Sequence, residues 1–254
     1  MSHIPPLDPN VAARKGFRES EERLKRFWKA VDVAWGEGGW SVTLDGRTPK
    51  TPAHGPLVLP TEAAARLVAE EWAAQGEFID PATMPLVRLV NSAIEAGDGR
   101  AQALRDEVVK YAGNDLLLYR ADTPRELVAE QERQWDAALV KLARHFGVSF
   151  QPTIGIIHQS QPRATLDRLA ESLVGENLFT LTALVSITGL TGSGLLSIGL
   201  WNKLFSPDEV WKAAHVDEDY QISQWGEDEE AADRRARRRI EFDTAVAVLD
   251  AMRA

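Results

Sequence analysis

Between Lys29 and Pro60 apolar positions recur at every second residue. Val31, Val33 and Trp35 alternate with smaller or polar residues, Gly36-Glu37-Gly38-Gly39 supplies a turn, and Trp40, Val42 and Leu44 resume the alternation, which predicts a β-hairpin. Asp45-Gly46-Arg47 carries the Asp-Gly signature of a second tight turn and leads through TPKTPA to Leu57-Val58-Leu59. Three or four short antiparallel strands result. A sheet that small must lay its apolar face on something else. Arg47 and Lys50, beside these turns, read as solubilising turn residues.

After Pro60 the period lengthens to that of helices. Thr61 is placed to cap a helix whose face carries Ala65, Val68, Trp72 and Gly76, with Trp72 as a core residue and the end near Gly76. A second helix is predicted from Leu86 to Ala96 and a third through Leu104, Val108 and Tyr111. Thr123-Pro124-Arg125-Glu126 reads as a capping box with Pro at the first helical position, opening a helix through Leu127, Gln131, Trp135, Leu139 and Leu142 to a stop at Gly147. Thr153 to Ile157 reads as an isolated strand or extended connector, and helix is expected from Arg163 onward. Ser206-Pro207-Asp208-Glu209 opens a helix carrying Val210, Trp211, Ala214 and then Asp217, Glu218 and Asp219; the last helix starts near Glu229.

The stretch from Glu176 to Lys203 contains no charge between its ends and is long enough to span a bilayer. Its Thr and Ser content and the cluster Gly189, Gly192 and Gly194 favour two buried helices joined by a tight bend, with a membrane span and a chaperone-like apolar surface as the alternatives. The pattern as a whole predicts an α+β fold, with a small antiparallel β-rich domain over residues 1–80, carrying one packed helix, and a larger, mainly helical domain over 81–254.

The segment VDEDYQISQWGEDEEAADRRARRR, from Val216 to Arg239, surrounds two aromatics with acids and ends in arginines. On a helix, successive side chains splay about 100° apart. Asp217, Glu218 and Asp219 therefore cannot converge on one substrate proton, but they can ring Tyr220 or Trp225 as an apolar anchor with a charged rim. The plainer reading is a solvated helix face with internal ion pairs, and the arginine block is best explained by acid–base pairing.

Composition narrows the classes. A formal charge of −9 argues against nucleic-acid binding, which needs a surplus of Lys and Arg on an exposed face. The absence of cysteine excludes disulfides and thiolate sites. The N-terminal MSHIPPLDPNVAARKGF has no apolar run, so neither a signal peptide nor an anchor is expected, and the expected compartment is the cytoplasm. No P-loop, GxGxxG after a strand, GxSxG elbow or HExxH helix occurs, and the five histidines lack metal-ligand spacing. Neither a metal nor a cofactor is expected. One enzymatic alternative stays open, a hydrolase or transferase using paired carboxylates and a divalent cation at Glu227, Asp228, Glu229 and Glu230.

Seven fragments occur in order between Arg26 and Ala247: RFWKAVDV, TLDGRTPKTPA, LVLPTEAAARLVAEEWAAQ, IDPATMPLVRLVNSAIE, YAGNDLLLYRAD, EQERQWD and DEDYQISQWGEDEEAADRR. In that order and spacing the chain resembles the assembly chaperone family of the F-type ATP synthase whose members act on the α subunit. The resemblance implies a non-enzymatic protein, acting as a monomer, that binds newly made α subunit, covers its subunit-facing surface and releases it to the β subunit. It also implies that one of Asp217, Glu218 and Asp219 contacts the partner, with Tyr220 and Trp225 beside them, and that the Glu71-Trp72 pair, Trp135 and the hairpin residues Asp45 and Gly46 are structural. The GEGG turn departs from the family pattern. The lack of an organellar extension points to a bacterial cytoplasm.

Overall fold

The computed structural model describes residues 24–254. Strands β1 (Val31–Gly36) and β2 (Gly39–Leu44) pair antiparallel, Val31 opposite Leu44 and Trp35 opposite Trp40, and β3 (Val58–Leu59) pairs with the other edge of β2. At the second turn Asp45 and Gly46 both have positive φ, 49° and 81°, and Leu44 and Arg47 exchange backbone hydrogen bonds of 2.8 and 3.0 Å. That geometry is the reason for Asp-Gly here. The Asp45 carboxylate also accepts from the N–H of Ala30 at 2.8 Å and of Lys29 at 3.1 Å, and these donors hold its carboxyl below the usual range.

Val42, Leu44, Leu57 and Leu59 face inward with Trp28, against helix α1 (Glu62–Ala73). Trp28 meets Trp72 edge to face at 5.1 Å. Trp35 does not join them. Burial along β1 fades toward the turn, so Trp35 is 68% exposed and meets Trp40 edge to face at 5.6 Å.

Thr61 caps α1 as expected, its hydroxyl accepting from Ala64 N–H at 3.2 Å, and the helix ends at Ala73, before Gly76. Helices α2 (Pro85–Ala96) and α3 (Ala101–Gly113) follow. The start of α2 has no cap of its own. Glu71, on α1, supplies one, its carboxylate accepting from Leu86 N–H at 2.9 Å and Val87 N–H at 2.8 Å.

Helix α4 (Arg125–Gln131) passes through a π-turn at Glu132–Asp136 into α5 (Ala137–Phe146), which Gly147 closes in the left-handed conformation. The capping box expected at Thr123 does not form. Pro124 itself precedes the first helical residue, in an extended conformation, so Glu126 is out of register for the box and the Thr123 hydroxyl turns to Asp122. Nor is the segment at Thr153 isolated, since β5 (Thr153–Ile154) pairs in parallel with β4 (Tyr119–Arg120).

After α6 (Arg163–Glu171), the charge-free run forms α7 (Leu178–Thr191) and α8 (Gly194–Trp201), a buried hairpin turning at Gly192. Among the described residues no helix is long and apolar enough to cross a membrane. α7 is apolar nearly all round because α2, α3, α8 and the last helix cover most of it, leaving Gly189 exposed. Gly194 seats α8 directly on α3: a Cβ there would lie 2.2 Å from the Val108 carbonyl oxygen. Beside it the fully buried Asp115 accepts from Leu117 N–H at 3.1 Å and Leu195 N–H at 2.9 Å, capping two helical starts at once.

The chain ends with α9 (Pro207–Ala214), α10 (Val216–Trp225) and α11 (Glu229–Ala251). The Ser206 capping box forms with both reciprocal bonds. The single helix expected from Pro207 through the acidic cluster is broken at His215, whose backbone leaves helical geometry. One hydrophobic core runs from Trp28 to Ala251, and the Thr61 hydroxyl donates to the Ala251 carbonyl at 2.8 Å. The architecture is α+β, a three-stranded sheet backed by helices. We propose residue 80 as the boundary between the sheet layer and the helical layer.

Candidate functional site

The break at His215 sets the geometry of the acidic segment. His215 is buried, tilted against Trp211 with ring centroids 4.0 Å apart, and its Nδ1 lies 2.7 Å from the Trp211 carbonyl oxygen. With Nδ1–H donating there, neutral His215 presents an unprotonated Nε2, which has no hydrogen-bond partner among the described residues. Burial holds its pKa below the ordinary value, so the ring is neutral near pH 7.

The three consecutive acids of α10 point to three different environments. Asp217, half-buried, accepts from the Gln131 side-chain amide at 2.7 Å. Gln131 is itself buried, accepts the Ala121 N–H at 2.9 Å and receives the Arg120 guanidinium on its backbone carbonyl. Glu218, also half-buried, lies 3.9 Å from His215 Nε2. Asp219 stays exposed and pairs with Arg235 of α11 at 2.5 Å. The splay expected of neighbours on a helix is thus realised as one half-buried tether to Gln131, one half-buried carboxylate near His215 and one surface ion pair.

Tyr220 is half-buried and Trp225, at the C-terminal end of α10, is 79% exposed. Gly226, at φ 84°, then turns the chain so that α11 runs back past α10. Between them lies a groove of about 280 Å³ whose walls include Glu218, Ile222, Trp225, Asp228, Ala231 and Arg235. It has an apolar floor and a mainly acidic rim. That combination suits an apolar side chain flanked by basic groups on another polypeptide.

The remaining candidates lie elsewhere. Trp135 is fully buried in the π-turn, its Nε1–H donating to the Ala213 carbonyl at 2.8 Å and its ring under the Arg120 guanidinium, so it locks α9 to α5. Trp72, Asp45 and Gly46 lie in the sheet and α1, contributing packing and turn geometry. Three of the five arginines pair with acids as the charge pattern suggested, Arg234 with Glu230 at 2.7 Å, Arg235 with Asp219, and Arg239 with Asp208 at 2.7 Å and Asp243 at 2.9 Å, whereas Arg238 donates to the Leu190 carbonyl and Arg237 makes no ion pair among the described residues. Arg239 also lies over Trp211 and Phe242, so the arginine block rivets α11 to α9. Glu227, Asp228, Glu229 and Glu230 do not gather into a cation site: Asp228 caps α11 through Ala231 N–H, Glu230 pairs with Arg234, and no group of three His, Asp or Glu with metal-holding geometry occurs among the described residues.

Sequence reasoning missed Gln131 and Asp115, both buried polar anchors. Asp115 had a local signal, an acid directly before the apolar triplet Leu116–Leu118 that its side chain caps. Gln131 had none, because its partner Asp217 is 86 residues away.

Comparison with known proteins decides the family. Residues 25–143 match the family model described as ATP12 chaperone protein. The crystal structure of Atp12 from Paracoccus denitrificans superposes with a TM-score of 0.83 at 37% identity, over 89% of this chain and 97% of that one. The chain belongs to the ATP12 chaperone family. It also resembles a protein of Agrobacterium tumefaciens put forward as a chaperone, with 39% identity, a TM-score of 0.88 and coverage of 99% of this chain and 92% of that one. Protein atp12, mitochondrial, of Schizosaccharomyces pombe is 24% identical over 220 residues, 82% of this chain and 76% of that protein. As an ATP12 family member the chain is an ATP synthase assembly chaperone, the coarse function that its ordered motifs implied.

Proposed function

We propose that this ATP12-family protein binds the unassembled α subunit of the F-type ATP synthase, covers its subunit-facing surface and gives it up when the β subunit arrives. The reading rests on the groove between α10 and α11, where an exposed Trp225 is rimmed by Glu218, Glu227 and Asp228. A subunit of an obligate ring, met without its neighbour, exposes a large apolar and charged interface that aggregates unless covered. A temporary cover must bind well enough to shield yet yield to the permanent interface, which calls for a moderate and partly polar patch. An exposed Trp with an acidic rim is such a patch, and exposed aromatics of this kind are the residues that dominate binding energy.

Glu218 and Trp225, which line the groove, and Asp219 and Tyr220, nearby on α10, are assigned to partner contact. Asp217 is assigned a positioning role, because its carboxylate is taken up by Gln131. The protein acts as a monomer in the cytoplasm, without cofactor or catalysis. Immobilised protein incubated with bacterial lysate is expected to retain free α subunit and no assembled enzyme, and added β subunit is expected to elute it. Recovery of no synthase subunit sinks the reading.

A further inference from the structure

We propose that His215 regulates the groove between α10 and α11 by proton uptake: when its buried Nε2 takes a proton from solvent, the new N–H draws the Glu218 carboxylate off the groove rim and the hold on the partner weakens. That a partner occupies the groove rests on the functional reading above; the coupling of His215 to Glu218 does not.

Geometry carries the proposal. His215 is 2% exposed, and its Nε2 has no hydrogen-bond partner among the described residues. An acceptor left so in a protein interior costs free energy, which a proton shared with a nearby carboxylate offsets. Nδ1 is already committed to the Trp211 carbonyl at 2.7 Å, so an added proton has Nε2 as its place. Glu218 Oε2 lies 3.9 Å from that nitrogen, beyond hydrogen-bond range, and a small rotation of the half-buried Glu218 side chain closes the gap. The same Glu218 lines the groove with Trp225. One carboxylate thus has two possible counter-charges, the imidazolium of His215 on the inside and a basic group of the partner on the outside.

The surroundings of the ring decide which one it meets. Burial opposes the imidazolium most, and Arg235 and Arg238 of α11 add to that, whereas the Trp211 carbonyl and Glu218 favour it. Arg235 is itself paired with Asp219, and Arg238 donates to the Leu190 carbonyl. Arg239, over the Trp211 ring, is held by Asp208 and Asp243, and α4 meets α10 through the uncharged Gln131. The ring is therefore neutral near pH 7 and takes its proton on acidification, below the ordinary histidine range. Linkage gives the converse. A basic group of the partner on Glu218 removes the counter-charge of the imidazolium, so binding expels the proton and affinity rises with pH.

The test follows the imidazole nitrogens of His215 by long-range 1H–15N correlation on the full chain from about pH 5 to about pH 7.5, a window in which unperturbed carboxylates stay largely ionised. The expected result is the Nδ1-protonated tautomer at the upper end, proton uptake at Nε2 on acidification, and a Trp225 indole signal that shifts in step. In Glu218→Gln, His215 should take its proton at lower pH and the Trp225 signal should stop following it. Capture of isolated α subunit by the parent protein should weaken by about threefold more across the window than capture by His215→Asn, which keeps a donor for the Trp211 carbonyl and has no atom at the Nε2 position. A ring that stays neutral throughout, the other tautomer at neutral pH, a Trp225 signal that ignores His215, or equal losses of capture in the two proteins overturn the proposal. The nitrogen titration needs no change at His215, so it decides the matter even if His215→Asn fails to fold. Absence of α-subunit capture at every pH, with Trp225 still following His215, counts against the functional reading and supports the coupling, so the two failures are distinguishable.

Discussion

Gln131 donates its side-chain amide to Asp217 across 86 residues of sequence, at 2.7 Å, and this bond helps tie α10 to the end of α4. It separates the first of three consecutive acids from the other two: Asp217 holds the helix, while Asp219 faces solvent.

Asp217→Ala leaves the buried amide of Gln131 without its acceptor, which costs about 1–3 kcal/mol. Asp219→Ala removes only a surface ion pair, and the expected change is at most about 1 kcal/mol. Urea unfolding of both variants checks the ranking, and a cycle with Gln131→Leu should show coupling with Asp217 and none with Asp219. Equal destabilisation of the two alanine variants contradicts the assignment.

Glu71→Ala strips the cap from α2 and should cost about 1–2 kcal/mol, visible as a lower melting temperature by circular dichroism. Trp72→Arg should cost more, because it replaces the ring packed on Trp28 with a charge that is expensive to bury. A Trp72→Arg variant melting like the parent protein would show that the aromatic contact contributes little.

The two glycines flanking the turn of the buried hairpin should behave oppositely. Gly194→Ala drives a Cβ to 2.2 Å from the Val108 oxygen and 2.8 Å from the Ala112 nitrogen, an overlap with backbone that side-chain rotation cannot relieve, and a loss of about 1–3 kcal/mol or more is expected. Gly189, on the exposed face of α7, has nothing within 4 Å, so Gly189→Ala should be neutral or stabilise the helix by up to about 1 kcal/mol. Thermal melts of the pair decide it.

Burial pushes the Asp115 carboxyl up to about 7. An unfolded Asp titrates near pH ~4. Between those values the folded state holds a proton that the unfolded state has released, so the associated stability is fully present below about pH 4 and is lost as pH rises through 7. Denaturant midpoints of the parent protein should therefore fall more between pH 4.5 and 8 than those of Asp115→Asn, which does not titrate. Parallel pH profiles contradict this.

The locally encoded features were legible in sequence. Alternation gave the hairpin, Asp45-Gly46 its turn, Thr61 and Ser206 their caps, and the Gly192 cluster the buried bend, because each depends on residues a few positions apart. Where competing contacts intervene, the local rules mislead. Thr123 looks like a cap but loses its register to Pro124, Trp35 fits the apolar alternation but lies at the unpacked end of its strand, and the helix expected to run through His215 breaks where that ring settles against Trp211. At the candidate site, the composition of the acidic and aromatic segment was readable. The division of labour among Asp217, Glu218 and Asp219 was not, since it depends on Gln131, His215 and Arg235 arriving from other elements or earlier turns.

The central claim is tested most directly by measuring binding of isolated α subunit to the parent protein and to Trp225→Ala, Asp219→Lys and the double variant, each first shown to melt like the parent. The account predicts at least tenfold weaker binding for the double variant, equivalent to about 1.4 kcal/mol or more. Unchanged affinity for all three folded variants would place the partner on another face and contradict it.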